Sequence, residues 1–258
     1  LESYNHITLT EDEITEAMIN AKRKKEEAAM MQSIREREMQ NRKQATTLLD
    51  VAMIKNFILR RAERLFRGRF VLDENNEDLF NLLCLYFTNN PGFAEAAAAA
   101  GVEHPAIEKG ILVAGNFGTG KTWMMKLFQQ NARQTFYLRS AKDIAQAYLV
   151  SEDKKIPAEY IELFKNPAND ASVFYQPVSG LCIDDMGAEN KKNNFGNIMN
   201  VVGDLLEERY AKKLTGVFLH ATTNLSAGEL KEFYGERVAS RMREIFNFIE
   251  LPGLDRRK

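Results

Sequence analysis

Residues 110–122 read GILVAGNFGTGKT, an apolar run that breaks into a glycine-rich turn and ends in Lys-Thr. The run fits G-x-x-x-x-G-K-[ST] with a strand before it and a helix after it. Glycines let the backbone curl so that successive N–H groups point inward around phosphate oxygens. The helix that follows aims the positive end of its dipole at the same point. The expected phosphate-contacting residues are Gly115, Asn116, Phe117, Gly118, Thr119, Gly120, Lys121, Thr122 and Trp123. Lys121 is placed to reach the β- and γ-phosphates of a nucleoside triphosphate, and the Thr122 hydroxyl to ligate Mg²⁺.

From residue 110 onward, apolar runs alternate with helical patterns, the signature of an α/β fold on a parallel sheet. The expected strands are Ile111–Ala114, Thr135–Leu138, Leu181–Asp184, Val217–Thr222 and Asn247–Leu251. Ser140 with Asp143, and Ser226 with Glu229, carry the spacing of helix starts. The third strand ends in two adjacent carboxylates. In phosphate-loop ATPases the first acid at such a strand end holds the metal and the second polarises the attacking water. Asp184 takes the metal role here and Asp185 the water. Their mutual repulsion would be offset by Mg²⁺ and Lys121. Aspartate is one methylene shorter than glutamate, so slow hydrolysis is expected; Glu189 is a weaker candidate for the same job.

The fourth strand runs into Thr223-Asn224, which places Asn224 as a polar probe of the γ-phosphate. In Tyr234-Gly-Glu-Arg237-Val-Ala-Ser-Arg241-Met-Arg243, Arg237 and Arg241 are four apart and share a helix face. Two guanidiniums on one face suit a phosphate presented by a neighbouring subunit. The alternative is a pair of surface arginines bridging Glu236 or Glu244.

The series GNFGTGKT, LCIDDMGAE, HATTNLS and YGERVASRM, in that order over about residues 108–252, resembles AAA+ ATPases of the DnaC- and DnaI-like helicase-loader group and their IstB-type transposition-helper cousins. The resemblance implies a P-loop AAA+ three-layer fold on a five-stranded parallel sheet, with the acidic strand not directly beside the phosphate-loop strand, and a reduced lid. It implies ATP and Mg²⁺, assembly into a homo-oligomer on ATP binding, and single-stranded DNA within the assembly. It makes Asn224 the first sensor and Arg237 or Arg241 the finger acting in trans, Arg241 slightly favoured. Arg256 and Arg257 are candidates for a remnant second sensor.

The first 70 residues lie outside the resemblance. They lack glycine before Gly68, and residues 11–44 are dense in good helix formers, with Thr10 and Glu13 in capping-box spacing. Residues 51–69 carry six cations, Lys55, Arg60, Arg61, Arg64, Arg67 and Arg69, against one acid, Glu63. Val51, Ile54, Ile58 and Leu65 are the expected packing positions of a helix there. The basic side suits a phosphate backbone or an acidic partner surface. Residues 1–70 are thus read as a helical partner-binding segment, and 71–258 as the ATPase domain.

With a formal net charge of −1, nucleic-acid contact must come from a local patch. Two cysteines, Cys84 and Cys182, supply neither a disulfide framework nor a four-cysteine zinc site. The opening residues are acidic and lack the apolar core of a leader, and no run is long enough to span a bilayer. A cytoplasmic protein without a membrane contact is expected.

The function these readings favour is an ATP-dependent loader of a replicative helicase. Binding of ATP would drive assembly and hydrolysis would drive release. The alternative is an IstB-like helper that organises DNA for a transposase. A small-molecule kinase and a nucleotide-switched scaffold that scarcely hydrolyses are more distant readings.

Overall fold

The computed structural model describes residues 18–22, 25–26, 51–131, 133–151, 155–161, 180–189, 192–194 and 197–256. Contacts divide the chain between Thr47 and Leu48. In the first unit residues 18–22 and 25–26 are helical and exposed; Thr10 and Glu13 lie outside the described residues.

The second unit begins with helix α1 (Val51–Phe66), followed by α2 (Glu77–Phe87) and α3 (Phe93–Ala99). Composition drew a boundary after residue 70, but α1 buries Ile58, Ala62 and Phe66 in the same core as α2 and the sheet. The packed positions repeat at intervals of four from Ile58, so Leu65 falls off that face and is exposed. The alanine-rich helix starts at Phe93, earlier than its alanines suggest, because the buried Phe93 anchors it.

Five parallel strands follow: β1 (Gly110–Ala114), β2 (Phe136–Ser140), β3 (Gly180–Met186), β6 (Leu219–Thr223) and β7 (Phe246–Glu250). Their order across the sheet is β2-β3-β6-β1-β7. The strand bearing Asp184 is therefore separated from the phosphate-loop strand by β6, as the AAA+ resemblance implies. A two-stranded antiparallel pair, β4 (Lys192–Asn194) with β5 (Asn197–Met199), stands apart.

Alternate residues of β1 feed two cores, which makes the fold three-layered. Ile111 and Val113 pack with α1, α2 and α3 and with helix α4 (Lys121–Leu127). Leu112 and Ala114 pack on the other face, with α5 (Ala141–Val150), α6 (Ala158–Ile161), α7 (Val201–Ala211), α8 (Ala227–Tyr234) and α9 (Glu236–Ile245). Both helix starts read from the sequence have their caps. Ser140 Oγ accepts from Asp143 N, and Ser226 and Glu229 form a full reciprocal box.

The strand bounds differ from expectation by one or two residues, β2 running on to Ser140, and two of the differences have a visible cause. A 3₁₀ turn over Gly216–Phe218 delays the start of β6 to Leu219. Strand β3 runs on to Met186 because its pairing with β6 shifts register between Ile183 and Met186. Within that irregularity Asp185 takes a left-handed φ of 55°. Among the described residues no helix follows β7, and none is long and apolar enough to cross a membrane.

Buried polar residues hold the ends of the sheet in place. Asn247 on β7 donates to the carbonyls of Ala106, Lys109 and Gly110 and accepts from Ala106 N, which fixes the entry into β1. Arg209 is fully buried. Its guanidinium donates to the carbonyls of Tyr160, Leu214 and Phe218, and burial lowers its pKa to about 10.

Candidate functional site

The strand ends deliver the motif residues to one place. After Ala114 the chain turns through Gly115–Gly120 and enters α4 at Lys121. The residues after β7 cross over this turn. Leu251 N donates to Ala114 O, and Arg256 N donates to Gly118 O at 3.0 Å. Gly118 adopts a φ of +74°, which favours glycine, and a Cβ there would stand 1.8 Å from the Asp255 carboxylate and displace it.

Lys121 is buried, 4% exposed, and its ammonium donates to Gly115 O and Asn116 O, each at 2.8 Å, and to Asn224 Oδ1 at 2.7 Å. The two carbonyls hold the charge at the base of the turn. Thr122 Oγ1 lies 2.9 and 3.0 Å from the two carboxylate oxygens of Asp184. Thr222 completes this corner: its hydroxyl donates to Asp184 Oδ1 at 2.6 Å and accepts from Asp185 N at 2.9 Å. Burial above all pushes the Asp184 carboxyl above its usual range, with the Asp185 charge adding to it, while the bonds from Thr222 and Thr122 act in the opposite direction. Asn224 Nδ2 reaches Asp185 Oδ1 at 3.2 Å. One amide thus links Lys121 to Asp185.

These groups open into a cleft of about 950 Å³ lined by Phe117–Met124, Asp185, Asn224 and Arg256. The wall facing the phosphate loop comes from the stretch after α1: Gly68, Arg69, Phe70, Val71, Asp73 and Asn76. That wall is fastened twice. Phe66 stacks on Trp123 with ring centroids 4.3 Å apart and planes 3° from parallel. Arg256 Nη2 pairs with Asp73 Oδ1 at 2.7 Å. Sequence reasoning passed over this wall and Thr222. Motif spacing carries no signal for the wall, whereas a hydroxyl two residues before Asn224 was visible.

A divalent cation fits the corner between Thr122 and Asp184. Both offer hard oxygen ligands, already within hydrogen-bonding distance of each other. Among the described residues no three His, Cys, Asp or Glu side chains cluster to hold a metal by themselves. A magnesium ion here would complete its shell with phosphate oxygens and water.

Three sequence candidates lie elsewhere. Both oxygens of the buried Glu189 are engaged, by Gly187 N at 2.8 Å and by the Tyr234 hydroxyl at 2.5 Å. Arg237 and Arg241 do not line the cleft of their own chain. They converge on Glu207 of α7, Arg237 Nε at 3.0 Å from Oε1 and Arg241 Nη1 at 3.4 Å from Oε2. The carboxylates expected as their partners are engaged otherwise: Glu236 pairs with Lys231 and Glu244 accepts from Tyr210. Arg241 also lies over the Tyr210 ring, 5.0 Å from its centre. Arg257 lies outside the described residues.

No family profile and no curated protein matches the chain. Among solved structures, the chain is similar to a crystal structure of a candidate primosome component from Streptococcus pyogenes serotype M3. The identity is 19%, over 73% of this chain and 85% of that one, with a TM-score of 0.46. It is also similar to a crystal structure of DnaI, at 19% identity over 72% of this chain and 88% of that one, with a TM-score of 0.44.

Proposed function

We propose that this chain is an ATP-hydrolysing AAA+ protein that loads a replicative helicase onto DNA. The observation that carries the nucleotide part is the meeting of Lys121 and Thr122 with Asp184 and Asn224, from three separate segments, beside one cleft. The Lys121 ammonium neutralises the β- and γ-phosphates as charge develops on them. Thr122 and Asp184 would hold the magnesium, which would supply positive charge against the triphosphate. Asp185 accepts the proton of the attacking water, and Asn224 aligns that water against the γ-phosphate.

The loader part of the reading rests on the ordered motif series, above all HATTNLS followed by YGERVASRM. In that reading ATP joins copies of the chain into a homo-oligomer. Arg241 or Arg237 of one copy completes the site of the next, and the part of residues 1–70 ahead of α1 holds the helicase. Single-stranded DNA is the second partner, and the cytoplasm is the compartment.

The test has two arms. Magnesium-dependent ATP turnover is measured for the wild-type chain and for Lys121→Ala, which loses it. Residues 1–258 are then used to capture a purified replicative helicase. Turnover without helicase capture, together with filaments on duplex DNA, would move the assignment to a transposition helper. Absence of turnover in the assembled protein would leave a nucleotide-switched scaffold.

A further inference from the structure

Helix α1 presents a second face that the nucleotide site does not use. Met53, Phe57, Arg60 and Arg64 follow one another at helical spacing and form a single stripe on the side away from the buried Ile58, Ala62 and Phe66. All four are exposed, Met53 at 62% and Phe57 at 57%. Arg67 and Arg69 continue the positive charge beyond the helix end, and both are exposed.

Along one flank of this stripe runs a groove of about 410 Å³ between α1 and the ends of α2 and α4. Its floor is aromatic and aliphatic, with Phe57, Phe87 and Phe128, and its far side is polar, with Thr88, Gln130 and Asn131. Among the described residues no carboxylate lines it. Arg61 closes the rim by donating to Gln130 O at 2.8 Å. Partial burial first, and the like charge of Arg64 second, depress the Arg61 pKa.

We propose that this face of α1 binds single-stranded nucleic acid, with phosphates on Arg60 and Arg64 and a base held against Phe57 at the groove. Rows of arginine suit phosphates, and an exposed aromatic ring in the same row supplies a stacking surface. A groove with an apolar floor and amide and hydroxyl edges matches a base, which has flat faces and polar edges. A base can enter only if it is unstacked, which selects a single strand over a duplex. The proposal rests on the loader reading only for the expectation that DNA is a partner.

The experiment uses the full chain and a fluorescein-labelled oligo-dT of about 16 nucleotides, the upper site size for one stacking platform. Anisotropy is followed across a salt series. The wild-type chain is expected to bind the strand. Arg60→Ser with Arg64→Ser should weaken binding at least about tenfold and flatten the log–log salt slope by about 1.4, two phosphate contacts on a single strand. Phe57→Ala should weaken binding severalfold and leave the slope unchanged. Thermal melting checks that these exposed substitutions leave the fold intact. The proposal is overturned if the double variant binds like the wild type, or if a duplex of the same length binds as tightly as the strand. It is also overturned if poly-L-glutamate competes as well as unlabelled oligo-dT, which would make the face a dock for an acidic protein. Strand binding is scored separately from ATP turnover. Failure here leaves the nucleotide assignment standing, and a chain that binds the strand but never hydrolyses ATP fails only in the other respect.

Discussion

The ammonium of Lys121 donates to Oδ1 of Asn224 at 2.7 Å, while the same amide donates to Asp185 at 3.2 Å. Asn224 is thus set between the group that holds phosphate and the group proposed to activate water. Asn224→Ala is expected to leave ATP binding within a few fold of wild type, because the Gly115 and Asn116 carbonyls still hold Lys121. Turnover should fall about a hundredfold, the usual cost of a misplaced reactant. Equilibrium binding of a fluorescent ATP analogue beside steady-state phosphate release separates the two. Loss of binding equal to the loss of turnover would refute the alignment role.

Glu207 holds Arg237 and Arg241 as one group, with Arg241 also resting on Tyr210. If Arg241 acts on a neighbouring subunit, Arg241→Ala should keep ATP binding and lose most hydrolysis. Mixing it with Lys121→Ala should restore part of it, since one variant supplies the phosphate loop and the other the finger. Glu207→Gln should behave like a milder Arg241→Ala in the same mixing assay. Normal hydrolysis by Arg241→Ala would shift the role to Arg237 or remove it.

His220 is fully buried among Tyr86, Phe87 and Phe136, with Nδ1 accepting from Ile111 N at 3.1 Å. Burial first, and the charge of Arg133 second, lower its pKa from 6.5 to about 3. The folded chain therefore keeps the ring neutral while the unfolded chain takes up a proton below pH 6.5. The stability this provides is present in full above 6.5 and is lost as the pH falls toward 3. The loss is about 1.4 kcal/mol per pH unit in that window. Urea unfolding of the wild type and His220→Asn between about pH 6 and 4 should show a flatter pH dependence in the variant. Equal slopes would mean that the ring is already charged in the fold.

Gly118 and Asp255 are in close approach, and the clash a side chain would create can be tested directly. Gly118→Ala should lower the melting temperature, since it combines a steric conflict with a left-handed backbone that costs about 1–2 kcal/mol. Adding Asp255→Ala should recover the steric part and leave the backbone part. Strict additivity of the two substitutions in a double-mutant cycle would contradict the contact.

The sheet could be read from the sequence because a buried parallel strand leaves a nearly continuous apolar run, and because three of the five runs lead to a residue with chemical character: Gly115, Asp184, Asn224. That these residues would meet was also legible, since the C-terminal ends of parallel strands lie along one edge of the sheet. The register shift at Asp185 and the 3₁₀ turn before Leu219 were not, as both arise from pairing between strands rather than from either strand alone. The affiliation of α1 was hidden for a related reason. Its charge suggested an independent segment, but the buried Ile58, Ala62 and Phe66, with the half-buried Ile54 and Leu59, decide where it packs. The Glu207 partnership joins side chains from two helices, which no local pattern encodes.

The left-handed backbone of Asp185, beside the carboxylate of Asp184, has an energetic consequence for the whole protein. An aspartate held in that conformation next to another acid costs about 1–3 kcal/mol. Asparagine tolerates the same φ and brings no second negative charge, so Asp185→Asn should unfold at a higher temperature than the natural chain while turning over far less ATP. Selection for sturdiness alone would erode this corner first, and its persistence in an evolving lineage would be a record of use.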